Sequence, residues 1–215
     1  MNKTKKAYNA LLNDIMLGKL YQGKKLVEND LIQSYCIGKT PLREALIELE
    51  RIGLVKRKIN RGFIVTHIGR KDAEEIYDLR EVIEGLSVRK TIENITEGKM
   101  QKITKIINEM ELCAKSREID EYGKLDIYLH LLLCELSGNE RLLDIIKNLQ
   151  YQIKMLLKTS INLPERGINL SFTEHKDLYT AIVLKNPDKA ERLIREHIVN
   201  TKNAVLHYLN NLNSS

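Results

Sequence analysis

The sequence predicts a mainly α protein in two parts: a small basic module in which helices give way to short strands, then a bundle made of helices alone. Three observations carry this prediction. Leu42, Ala45, Leu46 and Leu49 fall at i, i+3, i+4 and i+7, one apolar stripe at the helical period. After Gly53 the pattern changes to two short extended runs, Leu54 to Arg57 and Phe63 to Thr66, joined by Asn60, Arg61 and Gly62, residues suited to a tight turn. From Lys71 onward, apolar residues recur at helical spacing with only short interruptions. A short helix that feeds a basic hairpin reads as a winged helix-turn-helix, here followed by an all-helical bundle.

Each element follows in order. Ala7, Leu11, Leu12, Ile15 and Met16 mark a first amphipathic helix that ends near Gly18. Leu20 to Leu26, which contains Gly23, is read as a small extra strand against the wing. A shorter helix spans about Glu28 to Tyr35, and the helix carrying the Leu42 stripe comes next. Beyond residue 70, breaks near Gly98, Glu118 to Gly123, Gly138 to Asn139, Pro164 to Gly167 and Asn186 to Pro187 divide the chain into about six helices. The expected domains are therefore 1–68 and 69–215. No internal repeat or low-complexity tract is present.

At 215 residues the chain is long enough for two cores, and 43% hydrophobic with 30% charged residues argues against extended disorder. No apolar run approaches the ~20 residues a bilayer span needs, and no signal-peptide pattern follows the basic start, so a cytoplasmic location is expected, with no membrane partner. Cys36, Cys113 and Cys134 are odd in number, widely spaced and set in apolar periodic segments, which predicts buried reduced thiols. Charge is unevenly placed. Residues 1–70 carry 14 basic and 6 acidic side chains, net +8, whereas residues 71–215 are net −2. That asymmetry suits a phosphate-binding module joined to a neutral sensing or assembly module.

In a helix-turn-helix the first turn of the second helix lies nearest the bases, so polar and basic residues should cluster there. Lys39, Thr40 and Arg43 meet that demand. Arg43 has the fork to contact guanine or hold a phosphate, and Arg61 beside Gly62 at the wing tip is placed to enter the minor groove. Lys56, Arg57 and Lys58 then contact the backbone. The plainer alternative pairs Arg43 with a nearby carboxylate and leaves the basic run a solvated hairpin.

In the second part, Asp126 and His130 lie four apart on one helical face, among Leu125, Ile127, Leu129 and Leu131. His175 opens one later helix and His197 sits within the next. One carboxylate and three imidazoles are a donor set for a divalent metal with positions left for water or a ligand. From spacing alone, a core Asp–His hydrogen bond beside two unrelated surface histidines is the simpler account. Cys134, one turn past His130, reads as packing before it reads as a fourth ligand. Arg80 and Glu84 are likewise four apart, on a helix whose Ile76, Leu79, Ile83 and Leu86 are expected to pack inward. Either they form an exposed salt bridge, or Arg80 faces a cavity and offers a fork for a carboxylate.

With these residues in view, the chain resembles the GntR family of bacterial transcriptional regulators, in the branch with the FadR-type C-terminal ligand-binding domain, the FCD domain. The resemblance spans nearly the whole sequence. It rests on GKTPLREALIELERIGLV with NRGFIV in the first part, and on YDLREVIEG, LDIYLHLLLCELSGN and EHKDLYTAIVLKNPDKAERLIREHI in the second. It implies a non-enzymatic regulator that binds double-stranded operator DNA as a homodimer through Lys39, Thr40, Arg43 and the wing at Arg61 and Gly62, beside the backbone contacts already read at Lys56 and Arg57. It also implies a divalent metal, zinc before nickel or manganese, held by Asp126, His130, His175 and His197, and an effector that is a small organic or sugar acid, with Arg80 as helper. Repression is the expected mode; a metal-dependent hydrolase, or a DNA-binding protein with a purely structural metal, is the alternative. The chain departs from the family in having Gly38 and Lys39 where Ser and Arg are usual, which removes a side-chain cap and a bidentate fork. Tyr128 and Leu129 also stand where a Phe is frequent.

Overall fold

In the computed structural model, residues 2–58, 62–160 and 167–212 are described. Two compact units result, Met1–Ile68 and Gly69–Ser215.

The first unit runs α1 (Lys3–Met16), β1 (Lys25–Leu26), α2 (Glu28–Tyr35), α3 (Lys39–Arg51), β2 (Val55–Lys58) and β3 (Gly62–Val65). Asn2 caps α1 by accepting from the Thr4 backbone N–H at 3.1 Å. Helix α3 packs on α1 and α2. Its stripe of Leu42, Ala45, Leu46 and Leu49 is fully buried, and Ala7, Leu11 and Ile15 supply the buried face of α1. Gly38 caps α3 without a side-chain bond, as a residue with no side chain must. Between α2 and α3 the chain reverses at Cys36, whose φ of +51° is left-handed. Cys36 is exposed, against the expectation of three buried thiols; only Cys113 and Cys134 are buried, and all three are free. A residue that turns the chain out of a helix in this way lies off the apolar face its spacing suggests.

The three strands form an antiparallel sheet in the order β1-β3-β2. Val55 pairs with Val65 and Lys58 with Gly62, so the hairpin is one step out of phase with the sequence reading at both strands. The strand expected from Leu20 shrinks to Lys25 and Leu26, because Gly23 at φ +82° bends the chain just before them. Asn60 and Arg61, read from sequence as the turn with Gly62, lie outside the described residues. Gly62 itself opens β3 at φ +72°, a conformation glycine adopts without strain.

The second unit contains six helices among the described residues: α4 (Arg70–Glu93), α5 (Glu97–Ser116), α6 (Ile119–Leu136), α7 (Glu140–Ser160), α8 (Ile168–Val183) and α9 (Pro187–Leu212). Two breaks fall earlier than the glycines suggest. Gly98 is inside α5, because Thr96 caps that helix through the Lys99 N–H. Gly123 is inside α6, because the chain has already turned at left-handed Arg117. The break read at Pro164 to Gly167 lies, apart from Gly167, outside the described residues. A core of Val88, Ile103, Met110, Leu129, Leu133 and Ile194, among others, joins α4, α5, α6, α8 and α9.

Helix α4 packs most extensively on α9, where Gly85 lies against the Arg195 side chain, whose Nε a Cβ there would meet at 2.7 Å. The inward stripe of α4 carries Ala73, Ile76, Arg80, Ile83, Glu84 and Val88. Leu79 therefore faces out and is half exposed, contrary to the sequence reading, because the helix spends inward positions on Arg80 and Glu84. No described helix is long and apolar enough to cross a membrane.

Candidate metal centre and nucleic-acid interface

Helix α6 is apolar on both sides of Asp126 and His130, which drives that face into the bundle. There α8 brings His175 and α9 brings His197. His175 lies about two turns inside α8, not at its start as the sequence suggests. One ligand atom from each of the four residues lies within 4.8 Å of all the others. The Nε2 atoms of His130 and His175 are 3.3 Å apart, and His175 Nε2 is 3.5 Å from Asp126 Oδ1. None of the four residues is more than 5% exposed.

The outer nitrogens explain why the inner ones converge. His130 Nδ1 donates to Glu84 Oε2, and His197 Nδ1 donates to Glu174 Oε2 at 2.7 Å. The Tyr122 hydroxyl donates to Ser171 Oγ at 3.1 Å, which leaves its oxygen to accept from His175 Nδ1, also at 3.1 Å. With each Nδ1 turned to a partner outside the group, one donor atom of each ring and the Asp126 carboxylate face one another among buried side chains. Hydrogen-bonding the outer nitrogen is how proteins orient metal-binding histidines. The donors therefore fit a divalent ion of the zinc, nickel or manganese type, held by Asp126, His130, His175 and His197. Cys134 is not in the group. Burial pushes its thiol up to about 12, so it stays protonated and packs.

Arg80 and Glu84 do not form the exposed salt bridge that spacing allows. Both side chains are 2% exposed, with Arg80 Nε 2.7 Å from Glu84 Oε1. Burial alone would raise the Glu84 carboxyl, but Arg80 and then His130 outweigh it and hold the group down to about 2. The guanidinium lies over the Tyr77 ring, and its Nη1 is a buried donor with no hydrogen-bond partner. Arg80 also lines a cavity of about 20 Å³, room for roughly one water, together with His130, Gln150 and the aliphatic Ile127, Ile146 and Ile153.

On the first unit, Lys39, Thr40 and Arg43 are exposed in the first turns of α3, and Lys56, Arg57 and Lys58 are exposed along β2. Arg43 is held by Glu28 of α2, its Nε 3.0 Å from both carboxylate oxygens. Arg57 stacks over the Phe63 ring and reaches toward Glu50. Arg61 lies outside the described residues.

Comparison with known proteins decides the family. Residues 3–65 match the model of the bacterial regulatory proteins of the gntR family, and residues 75–200 match the FCD domain. The chain belongs to the GntR family and carries an FCD domain. It is 29% identical over 194 residues to the uncharacterized HTH-type transcriptional regulator YdhC of Bacillus subtilis, covering 88% of this chain and 85% of that one. It is 24% identical over 194 residues to the HTH-type transcriptional repressor RspR of Escherichia coli, covering 89% and 83%. A GntR regulator of Rhodococcus superposes with a TM-score of 0.78 at 19% identity, over 96% of this chain and 99% of that one, which is a likeness of fold. These proteins are transcriptional regulators, and so is this chain; the hydrolase reading is set aside.

For this GntR and FCD regulator, sequence reasoning missed the supporting residues. Spacing shows Glu84 only as the partner of Arg80, because its second bond, to His130, spans 46 positions. Tyr122 and Glu174 beside the histidines and Glu28 beside Arg43 leave no signal in helical spacing, since all three act across helices.

Proposed function

We propose that this regulator is a cytoplasmic homodimer that represses transcription from a palindromic operator, and that a small organic or sugar acid bound at a metal in the FCD domain controls its DNA affinity. What carries the reading is the convergence of Asp126 and three histidine rings, each held by a hydrogen bond at Nδ1. Zinc suits this set, with nickel or manganese as alternatives, and it would polarise or ligate a carboxylate at an open position. The buried Nη1 of Arg80, a donor without a hydrogen-bond partner, supports an acidic effector. Repression is supported by the word in the name of RspR.

For DNA, the reading assigns Lys39, Thr40 and Arg43 to the major groove, Lys56 and Arg57 to the phosphates, and Arg61 with Gly62 to the wing tip. A dimer presents two such modules to a two-fold operator. Effector binding then shifts the population between arrangements of the two DNA-binding modules, one of which matches the half-sites better. Removing Lys56, an exposed cation on β2, should weaken binding to all duplexes about equally and reduce the salt slope by about one. Equilibrium titrations at several salt concentrations measure this; a loss confined to one sequence would assign Lys56 to base reading instead.

The whole reading is tested by a gel shift with a duplex enriched from a random pool by the protein itself. Zinc-loaded protein is challenged with a panel of organic and sugar acids, and at least one is expected to change the affinity severalfold. A panel without effect would leave the second reading, a metal that only braces the bundle, which the burial of all four ligands favours.

A further inference from the structure

Arg43 of α3 meets Glu28, the first residue of α2. Its Nε lies 3.0 Å from both carboxylate oxygens, so the pair engages that one nitrogen and leaves the two terminal nitrogens of the fork outside it. The Arg43 side chain is 55% exposed and that of Glu28 26%. Glu44, the next residue on α3, is drawn off to α1, where it accepts from the Thr4 hydroxyl at 2.5 Å. We infer that Glu28 is a positioning residue for DNA recognition: it aims the Arg43 fork at a base edge, and so raises the ratio of operator affinity to random-duplex affinity while lowering affinity for duplex in general. The inference rests on the assignment of Arg43 to the major groove under Proposed function and deepens it.

The first half is geometric. An arginine reads guanine by directing two N–H groups at O6 and N7, and the guanidinium is planar and rigid. With Nε engaged by Glu28, the two N–H groups come from the terminal nitrogens, and the direction of Nε sets theirs. An untethered arginine has many rotamers, and phosphate oxygens take its contacts without regard to sequence. Glu28 stands on a helix whose Leu31, three residues on, is buried, and α2 packs on α3, so the carboxylate is a fixed point from which to aim. Holding the side chain in the free protein lowers the ordering cost that the complex would otherwise bear. The second half is electrostatic and has the opposite sign. A carboxylate beside the contact surface repels phosphate wherever on a duplex the module lands. An ion pair this exposed contributes little to folding, so its effect is expected in binding, not in stability.

The test titrates full-length wild type, Glu28→Gln, Glu28→Asp, Arg43→Gln and the double variant Glu28→Gln with Arg43→Gln against the enriched operator and a scrambled duplex of equal length. Glu28→Gln should bind the scrambled duplex more tightly than wild type does, since it loses a charge that repels phosphate. Its operator-to-scrambled ratio should nevertheless fall about 2- to 10-fold, the cost of ordering one long side chain. Glu28→Asp keeps the charge on a side chain one methylene shorter, so its ratio should fall while its affinity for the scrambled duplex stays at the wild-type value. This variant also decides the matter if Glu28→Gln does not fold. In Arg43→Gln, which has no fork to aim, adding Glu28→Gln should leave the ratio where it is. A ratio unchanged in both single Glu28 variants, or lowered by Glu28→Gln just as much without Arg43, overturns the inference while Arg43 keeps its place in the groove. Arg43→Gln that binds the operator as tightly as wild type removes the groove assignment and this inference together.

Discussion

Zinc added to chelator-stripped protein should raise its melting temperature by on the order of 10 °C, and the same zinc should do nothing for His175→Ala. A metal at a thousand times its dissociation constant stabilises the state that binds it by about 4 kcal/mol, and each kcal/mol moves the transition of a domain this size by about 2–4 °C. His175 is the best single deletion. It is 1% exposed, its Nε2 lies 3.3 Å from His130 and 3.5 Å from Asp126, and its Nδ1 is tied to Tyr122. Because the substitution empties buried space, the variant will be less stable from the outset, so the quantity compared is the zinc-induced shift of each protein against its own metal-free form. Equal shifts in both proteins would place the metal elsewhere. No shift in either would make the cluster a hydrogen-bonded core and leave Arg80 as the better place to seek an effector.

Arg43→Glu should abolish binding to the enriched operator, a loss of more than about 100-fold, since a bidentate guanine contact is worth about 1–3 kcal/mol and the new carboxylate also repels phosphate. The Glu28 pair gives this expectation more detail. In the free protein the Arg43 head is held at 3.0 Å from both oxygens of Glu28, so the guanidinium is already directed before DNA arrives. Reversing its charge sets two carboxylates against each other across α2 and α3, whereas Arg43→Gln removes only the fork. The glutamine variant should therefore bind detectably more tightly than the glutamate variant. A gel shift in which Arg43→Glu binds as the wild type does would reduce Arg43 to the surface ion pair that its sequence neighbours also allow.

What the sequence disclosed and what it withheld divide along a physical line. Patterns internal to one element were readable: the stripe of α3, the pairing of Asp126 with His130, and the order of helices and strands in the first unit all follow from the 3.6 and 2.0 periods of the backbone. The hairpin residues were placed to within one position. Patterns that depend on which helices meet were not readable. Nothing near Glu84 announces His130, because the bond joins α4 to α6, and nothing near Glu174 announces His197 in the following helix. Leu79 is apolar yet faces out, because α4 buries Arg80 and Glu84 on its inward face. Gly98 and Gly123 show the converse: a glycine is permitted inside a helix when a stronger stop, Thr96 or left-handed Arg117, acts a few residues earlier.

The burial of Asp126, His130, His175 and His197 would have a consequence in time as well as in energy for a metal held among them. With none of them more than 5% exposed, and the four divided among α6, α8 and α9, an ion held there would be shielded from a chelator in solution. Its release would wait for the helices to part, at a rate independent of chelator concentration once the chelator is in excess. The ion would then be exchanged on the slow scale of local unfolding, while the solvent-facing first turn of α3 meets and leaves DNA far faster. A cell carrying this regulator would then read the metal as a lasting property of each molecule.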